Sequence, residues 1–264
     1  MKPARKKKYP EDEARRERKE QIKDIMKNGL PENYIHSIHQ YCDRWCEKCD
    51  FTARCTHYVL EKKIHGDEEA DINSSKFWED MSLMFEATIE MLDEKMKELG
   101  ISTEEPDEDP EKAETQERNK HPLSASAYKF SIKLHKWIQE HDEALEKVRG
   151  MKAVVRGAVK PSDALETILW YNLFISAKLE RATSALKECE EGDDEFEAMD
   201  MNGSAKIALI AIDRSIGAWG ALLTALPQFE DDIYGFIKTL IKYRKQTEKI
   251  FPDARAFVRP GFDE

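Results

Sequence analysis

The sequence predicts an all-α fold, a helical bundle of about five to six helices with an N-terminal four-cysteine metal-binding segment. Large apolar residues recur at steps of three and four along most of the chain, which is the spacing of one helix face. Proline, serine and glycine stand where these periodic segments begin and end. No segment alternates apolar and polar residues as a strand does, and no internal repeat is visible.

The composition excludes several classes of protein. The 264 residues include 53 acidic and 42 basic side chains, and a net charge of −11 argues against a dedicated binder of duplex DNA. The apolar runs are too short to span a bilayer, and the basic start of the chain is not followed by the apolar stretch of a secretory signal. We therefore expect a cytoplasmic protein without a membrane span.

Three segments are predicted from the composition along the chain. Residues 1–29 form a charged N-terminal arm, whose basic character suits RNA, anionic lipid or simple solvation. Residues 30–66 contain the cysteines and form the metal-binding segment. Residues 67–264 form the helical bundle, with acidic loops at 104–120 and 190–200.

The helices are placed by their apolar spacing and their caps. A helix is expected from Pro31 through Cys49, and the next is expected to begin at the cap Asn73-Ser74-Ser75 and to end at Gly100. Further helices are expected over 123–148, from Pro161 to about Cys189, over 203–226 and after Pro227, with an extended tail over 251–264. The core-facing stripe expected for the second of these helices consists of Phe77, Met81, Met84, Phe85, Thr88, Leu92, Met96 and Leu99.

The strongest functional signal is a cluster of four cysteines, Cys42-x3-Cys46-x2-Cys49-x5-Cys55, with Cys189 far away. In a reducing compartment such a cluster indicates metal binding rather than disulfides. If the segment is helical through Cys49, the first three thiols lie within about 60° of one another, and the following turn brings Cys55 to them. Because clustered thiolates repel one another, a metal is needed to hold them together. All four cysteines are therefore the predicted ligands.

The crowding of all four ligands into one short segment favours a [4Fe-4S] cluster over zinc, since structural zinc usually takes two separated Cys-x2-Cys pairs. Cys46-x2-Cys49-x5-Cys55 resembles the end of the cluster loop in endonuclease III-type DNA glycosylases, which implies an iron–sulfur cluster. Glycosylase activity is not implied, because the helix-hairpin-helix glycine motif is missing. Cys42-x3-Cys46-x2-Cys49 also resembles the radical-SAM signature, which requires a βα barrel that this helical sequence does not predict.

Other polar residues are candidates for lesser roles. His39 and His57 flank the cysteines and could replace one of them as a ligand. Glu86 and Glu90 are expected to face water, and a di-iron site is not expected because the bundle helices lack Glu-x-x-His. The two most apolar helices contain a further polar set, consisting of Glu166, Asn172, Glu180, Arg181, Asp213 and Arg214.

Buried charges need partners, so Asp213 is expected to pair with Arg181, or Glu180 with Arg214. Such pairs either fix the register of the helices or line a small-molecule pocket. His141, on the apolar stripe of its helix, is expected to be a hydrogen-bonded core or boundary histidine.

Three functions follow from these signals. The first is electron transfer or redox sensing by a [4Fe-4S] protein that docks on a protein redox partner. The second is an interaction module in which zinc staples the N-terminal segment without redox chemistry. The third is an enzyme that acts on a small molecule with the polar residues of the central helices, so whether the protein is an enzyme stays open.

Overall fold

The computed structural model of the chain describes residues 10–66, 73–101, 121–151, 159–191 and 195–263. Over these ranges it contains eight α-helices, short 3-10 turns and no strand, apart from one isolated parallel bridge between Ile35 and Cys55. The predicted all-α class is therefore confirmed. None of these helices is both long and apolar enough to cross a membrane.

The chain divides into two compact units, Met1–Gln40 with Arg44–Glu108 and Tyr41–Asp43 with Asp109–Glu264. The first unit contains helices α1 (Pro10–Asn28), α2 (Thr56–His65) and α3 (Ser75–Leu99). Helix α3, which the sequence analysis placed in the bundle, thus belongs with the cysteine segment.

Helix α3 has the predicted ends. The Ser74 hydroxyl accepts a hydrogen bond from the Phe77 N–H at 3.3 Å, which satisfies one of the unbonded amides of the first turn. At the other end Gly100 adopts the left-handed conformation, with φ of 67°, which terminates the helix.

Helix α1 is the described part of the arm, and it packs along α3 as an ordered element of the first unit. A small core forms between the three helices, in which Ile22 from α1, Ile64 from α2 and Leu83 and Ala87 from α3 are almost fully buried. Charge pairs flank this core. They join Arg15 to Glu86, Lys19 to Glu90, Lys23 to Glu90 and Glu94, and Lys27 to Glu94. Because partners advance together along both helices, α1 and α3 run parallel.

Two expectations for α3 are wrong as a result. Glu86 and Glu90 bind basic side chains of α1 instead of facing only water. The expected core stripe is buried only in part, since Met84 packs against the core whereas Phe85 is 64% exposed and Leu92 is 56% exposed. The face that carries Leu83 and Ala87 packs on α1 instead, because these residues let the two helices approach each other closely beside the ion pairs.

The second unit is a four-helix arrangement of α4 (Pro122–Glu140), α6 (Pro161–Glu191), α7 (Glu195–Leu222) and α8 (Glu230–Ile250). Helix α4 packs on α6 and α8, and α7 packs on the same two helices, so the four close around one core. The short helix α5 (Asp142–Arg149) packs on α6. The central helix of the second unit is α7, in which seven of the nine residues from 204 to 212 are almost completely buried.

Several boundaries in this unit differ from the prediction. Helix α6 continues to Glu191 and α7 begins at Glu195, so helix replaces most of the acidic loop expected at 190–200. The helix expected over 123–148 is interrupted at His141, whose Nδ1 lies 2.7 Å from the Trp137 carbonyl oxygen and whose ring stacks on Trp137. The tail forms turns rather than an extended strand, with Phe251 and Ala254 buried against α6 and α7. The acidic loop predicted at 104–120 lies outside the described residues.

Candidate metal centre

The cysteine segment is not the helix that its apolar spacing predicted. Between α1 and α2 the chain forms three short 3-10 turns, Ile38–Gln40, Cys46–Lys48 and Thr52–Arg54. Arg44 has a positive φ of 58°, which a right-handed helix cannot accommodate. The argument that placed Cys42, Cys46 and Cys49 on one helix face therefore fails.

Backbone hydrogen bonds close this segment onto itself. The Ile35 N–H donates to the Arg54 carbonyl oxygen at 2.9 Å, and Arg54 Nε donates to the Asn33 carbonyl oxygen at 2.8 Å. Lys63 of α2 donates to the Gly29 carbonyl oxygen at 2.7 Å, which ties the start of the segment to the following helix. The cysteines of the first unit are thus held within one loop whose two ends meet.

The Cys46-x2-Cys49 pair forms a tight turn. The Cys49 N–H donates to the Cys46 carbonyl oxygen at 3.2 Å. The Phe51 N–H then donates to Cys49 Sγ at 3.4 Å. Cys55 is the N-cap residue of α2, where the unbonded amides of the first turn favour negative charge. The turn thus presents Cys49 Sγ to a backbone N–H, and Cys55 stands where α2 begins.

All five cysteines lie in the described part of the chain; they are half-buried and none is in a disulfide. Cys46, Cys49 and Cys55 belong to the first unit, and Cys42 belongs to the second. Among the residues whose placement is described, no three side chains of His, Cys, Asp or Glu are gathered closely enough to hold a metal ion. Four thiols are the ligand type that a soft metal prefers, but in this structure they are farther apart than the ligands of a bound metal.

Two imidazoles lie beside these cysteines. The rings of His39 and His57 are 5.9 Å apart, and Arg44 Nη1 donates to His57 Nε2 at 3.0 Å. Burial, with the nearby Arg44 charge, lowers the pKa of both histidines below the ordinary value of 6.5. Both rings are therefore neutral at physiological pH, which is the form that binds metals.

Other neighbours of the cysteines pack or bind elsewhere. Trp45 is buried, and Lys48 Nζ lies 3.9 Å from the centre of its ring. Arg44 and Arg54 bond to His57 and to the Asn33 carbonyl oxygen, so these basic groups do not rest as isolated charges in solvent.

The residues on either side of Cys42 are anchored to the helices of the second unit. Tyr41 is 2% exposed and its ring packs on Phe257. The Asp43 carboxylate accepts hydrogen bonds from the buried Tyr171 hydroxyl at 2.7 Å and from Arg214 at 2.6 Å. Burial and the Asp43 carboxylate raise the pKa of Tyr171, so its hydroxyl stays a proton donor.

Sequence reasoning missed Asp43, and it placed the ion pairs of the central helices incorrectly. Arg214 binds Asp43, and Arg181 binds Asp200 at 2.5 Å. Asp213 binds Arg255 at 2.7 Å and Arg244 at 3.4 Å. These pairs lie at the surface of the bundle. Their partners could not be predicted from the central helices, because Asp43 belongs to the cysteine segment, Asp200 to the start of α7, Arg244 to α8 and Arg255 to the tail.

The uncharged polar residues of the central helices do lie inside. Asn172 and Ser215 line a small cavity with Trp219 and other apolar side chains. The Asn172 Oδ1 atom is buried and has no hydrogen-bond partner in the described structure. A catalytic role for the polar residues of the central helices stays a prediction.

No known protein family matches the chain, and no curated protein or solved structure is significantly similar to it. The functional argument therefore depends on this chain's own residues.

Proposed function

We propose that the cysteine segment binds a metal centre through Cys42, Cys46, Cys49 and Cys55, and that the centre is a [4Fe-4S]-type cluster used in electron transfer or redox sensing. The observation that carries the proposal is the Cys46–Cys49 turn, in which the Phe51 N–H points at Cys49 Sγ. Hydrogen bonds to cysteine sulfur stabilise thiolate ligands and set the potential of iron–sulfur clusters.

Metal binding in this proposal draws the four cysteine side chains of the segment together. Cys42 and Cys46 are separated by three residues, so their α-carbons can be at most about 14 Å apart, and rotation about few bonds brings their thiols to a common centre. Binding energy is then spent partly on ordering the segment, as in other small metal sites. The anchored Tyr41 and Asp43 hold the chain on either side of Cys42 while the loop closes.

Zinc is the second candidate, and a specific observation favours it. His39 and His57 are neutral, their rings are 5.9 Å apart, and His39 Nδ1 lies 3.4 Å from the hydroxyl of Thr56, the residue after Cys55. Mixed sulfur and imidazole ligands are typical of structural zinc. In that case the metal fixes the segment without redox chemistry, and the protein acts as an interaction module.

The ligand assignment is tested by replacing single cysteines. We expect Cys46→Ser to release the metal, since serine is a poor ligand for iron and zinc at a thiolate site. Metal and sulfide per chain are measured after purification without oxygen, together with the visible spectrum.

Cys189→Ser is the matched control, because Cys189 is also half-buried but lies on α6, far along the chain from the cluster. It should keep the metal content of the unaltered chain. Equal metal content in the Cys46→Ser and unaltered proteins would contradict the assignment.

A further inference from the structure

Helix α3 exposes a second apolar face that its contacts with α1 do not use. Five large side chains on this face are each more than half exposed: Trp78 61%, Phe85 64%, Ile89 64%, Leu92 56% and Leu99 62%. At 100° per residue these positions lie nearly opposite Leu83 and Ala87, which pack on α1. Helix α3 is therefore apolar on two opposite sides, and only one side is in the core of the first unit.

The spacing of this face is a heptad repeat. Trp78, Phe85, Leu92 and Leu99 follow one another every seven residues, and Ser82, Ile89 and Met96 stand between them at steps of four and three. This is the a/d pattern of a coiled coil, sustained over three heptads. We call this row of a and d residues the seam. On an ordinary surface helix the exposed apolar residues are scattered and do not repeat every seven residues.

We propose that the α3 face formed by these seven residues is a dimerisation surface that pairs with the same face of a second copy of this chain, with the two α3 helices parallel. A seam that repeats along a single helix is complementary to itself, as a two-fold interface requires. The pairing does not involve the cysteine segment, so it stands or falls independently of the metal proposal.

The exposed area is sufficient for a stable pair. With about 100 Å² exposed on each of the five large side chains and smaller areas on Ser82 and Met96, the seam presents on the order of 600 Å² of surface, at the upper end for a monomer. Two such seams bury on the order of 1,200 Å², the lower end of specific protein interfaces.

The residues of the seam favour two strands, and its flanks favour the parallel arrangement. Ile89 falls at an a position and Leu92 and Leu99 at d positions, the combination that favours two strands over three or four in parallel coiled coils. On one flank stand Glu79, Glu86 and Asp93, of which Glu86 also binds Arg15 of α1 and Asp93 also binds Lys97. An antiparallel pair would set this acidic flank against itself, whereas a parallel pair sets it against the flank of Met81, Thr88 and Lys95.

The test is the mass of the full-length protein in solution, measured by light scattering and sedimentation over about a hundredfold range of concentration. We expect the unaltered chain to reach twice its mass of 30.7 kDa and Leu92→Lys to stay at 30.7 kDa. Leu173→Lys is the matched control, because Leu173 of α6 is 55% exposed, and it should still form the dimer. Ile89→Lys serves as a second variant, and circular dichroism checks that each remains helical.

An unaltered chain that stays at the mass of one copy, or a Leu92→Lys protein that still dimerises, would overturn the proposal. The orientation is tested by Met96→Cys under mild oxidation. A parallel pair places residue 96 of both copies side by side, so a cross-linked dimer should form faster than in the unaltered chain. A dimer that gains no such cross-link contradicts the parallel arrangement.

Discussion

At the scale of single residues, Gly203 of α7 packs tightly against Tyr41, which precedes Cys42 in the chain. A Cβ atom at position 203 would overlap the Tyr41 ring and lie 3.1 Å from a ring atom of Phe257. Glycine in the middle of a helix normally weakens it, so its presence here is explained by this approach. This contact holds the ring of Tyr41, the residue immediately before Cys42, in place against α7.

We therefore expect Gly203→Ala to destabilise the second unit, although alanine is the better helix former by about 1 kcal/mol. Overpacking against Tyr41 and Phe257 costs about 1–3 kcal/mol, and moving Tyr41 out of its site exposes an apolar ring. Urea denaturation measures the free energy of unfolding of the variant and the unaltered chain.

Gly217→Ala in the same helix is the control, because nothing lies within 4 Å of the added atom. It should stabilise the protein by about 0.5–1 kcal/mol. If both substitutions stabilise the protein equally, the tight contact between Gly203 and Tyr41 does not exist in solution.

At the scale of elements, the docking of α1 on α3 depends on matched charge spacing. Basic residues at 15, 19, 23 and 27 follow one another every four residues, as do Glu86, Glu90 and Glu94 on α3. Hydrogen bonds from Arg15, Lys19 and Lys27, respectively, lower the pKa of these three carboxyls. A depressed pKa in the folded state means that docking is favoured above the ordinary value of 4.5 and weakens as the pH falls through the folded value.

Lys23→Glu is expected to loosen α1, because it sets a third carboxylate beside Glu90 and Glu94. Hydrogen exchange measured by mass spectrometry at neutral pH should show faster exchange in α1 and unchanged exchange in α6 and α7. Glu90→Lys added to Lys23→Glu restores a pair of opposite charges and should restore part of the protection.

Lys97→Glu is the control for this change, since Lys97 forms its ion pair within α3, with Asp93. Its effect on α1 exchange should be small. Unchanged exchange of α1 in Lys23→Glu would mean that the ion pairs of Lys23 do not help to hold the helix on α3.

The helices themselves were largely predictable, whereas their partners were not. Caps such as Ser74 and Gly100 are local signals, and they placed both ends of α3 correctly. Which face of α3 becomes buried depends on α1, whose few apolar residues made it resemble a solvated arm. The complementary four-residue charge spacing of the two segments was the available signal for their pairing.

At the scale of the whole molecule, the described chain divides into two helical units. Cys42 belongs to one unit and the other three cysteines of the motif belong to the other, although only three residues separate Cys42 from Cys46. The cysteine motif could be read directly from the sequence, because ligand type and spacing are local properties. Its conformation could not, because the apolar period of Tyr34, Ile38 and Tyr41 imitates a helix while Arg44 takes a left-handed conformation. The anchor of Asp43 on Tyr171 and Arg214 depends on residues more than a hundred positions away.

The central claim, that the cysteine segment holds an iron–sulfur cluster, is tested most directly by analysing protein purified without oxygen. Visible absorption is recorded, and iron, acid-labile sulfide and zinc are measured per chain. The account predicts a brown protein with about four iron and four sulfide per chain. A colourless protein with one zinc would contradict the redox function and support the zinc staple, and a protein with neither metal would contradict the metal centre itself.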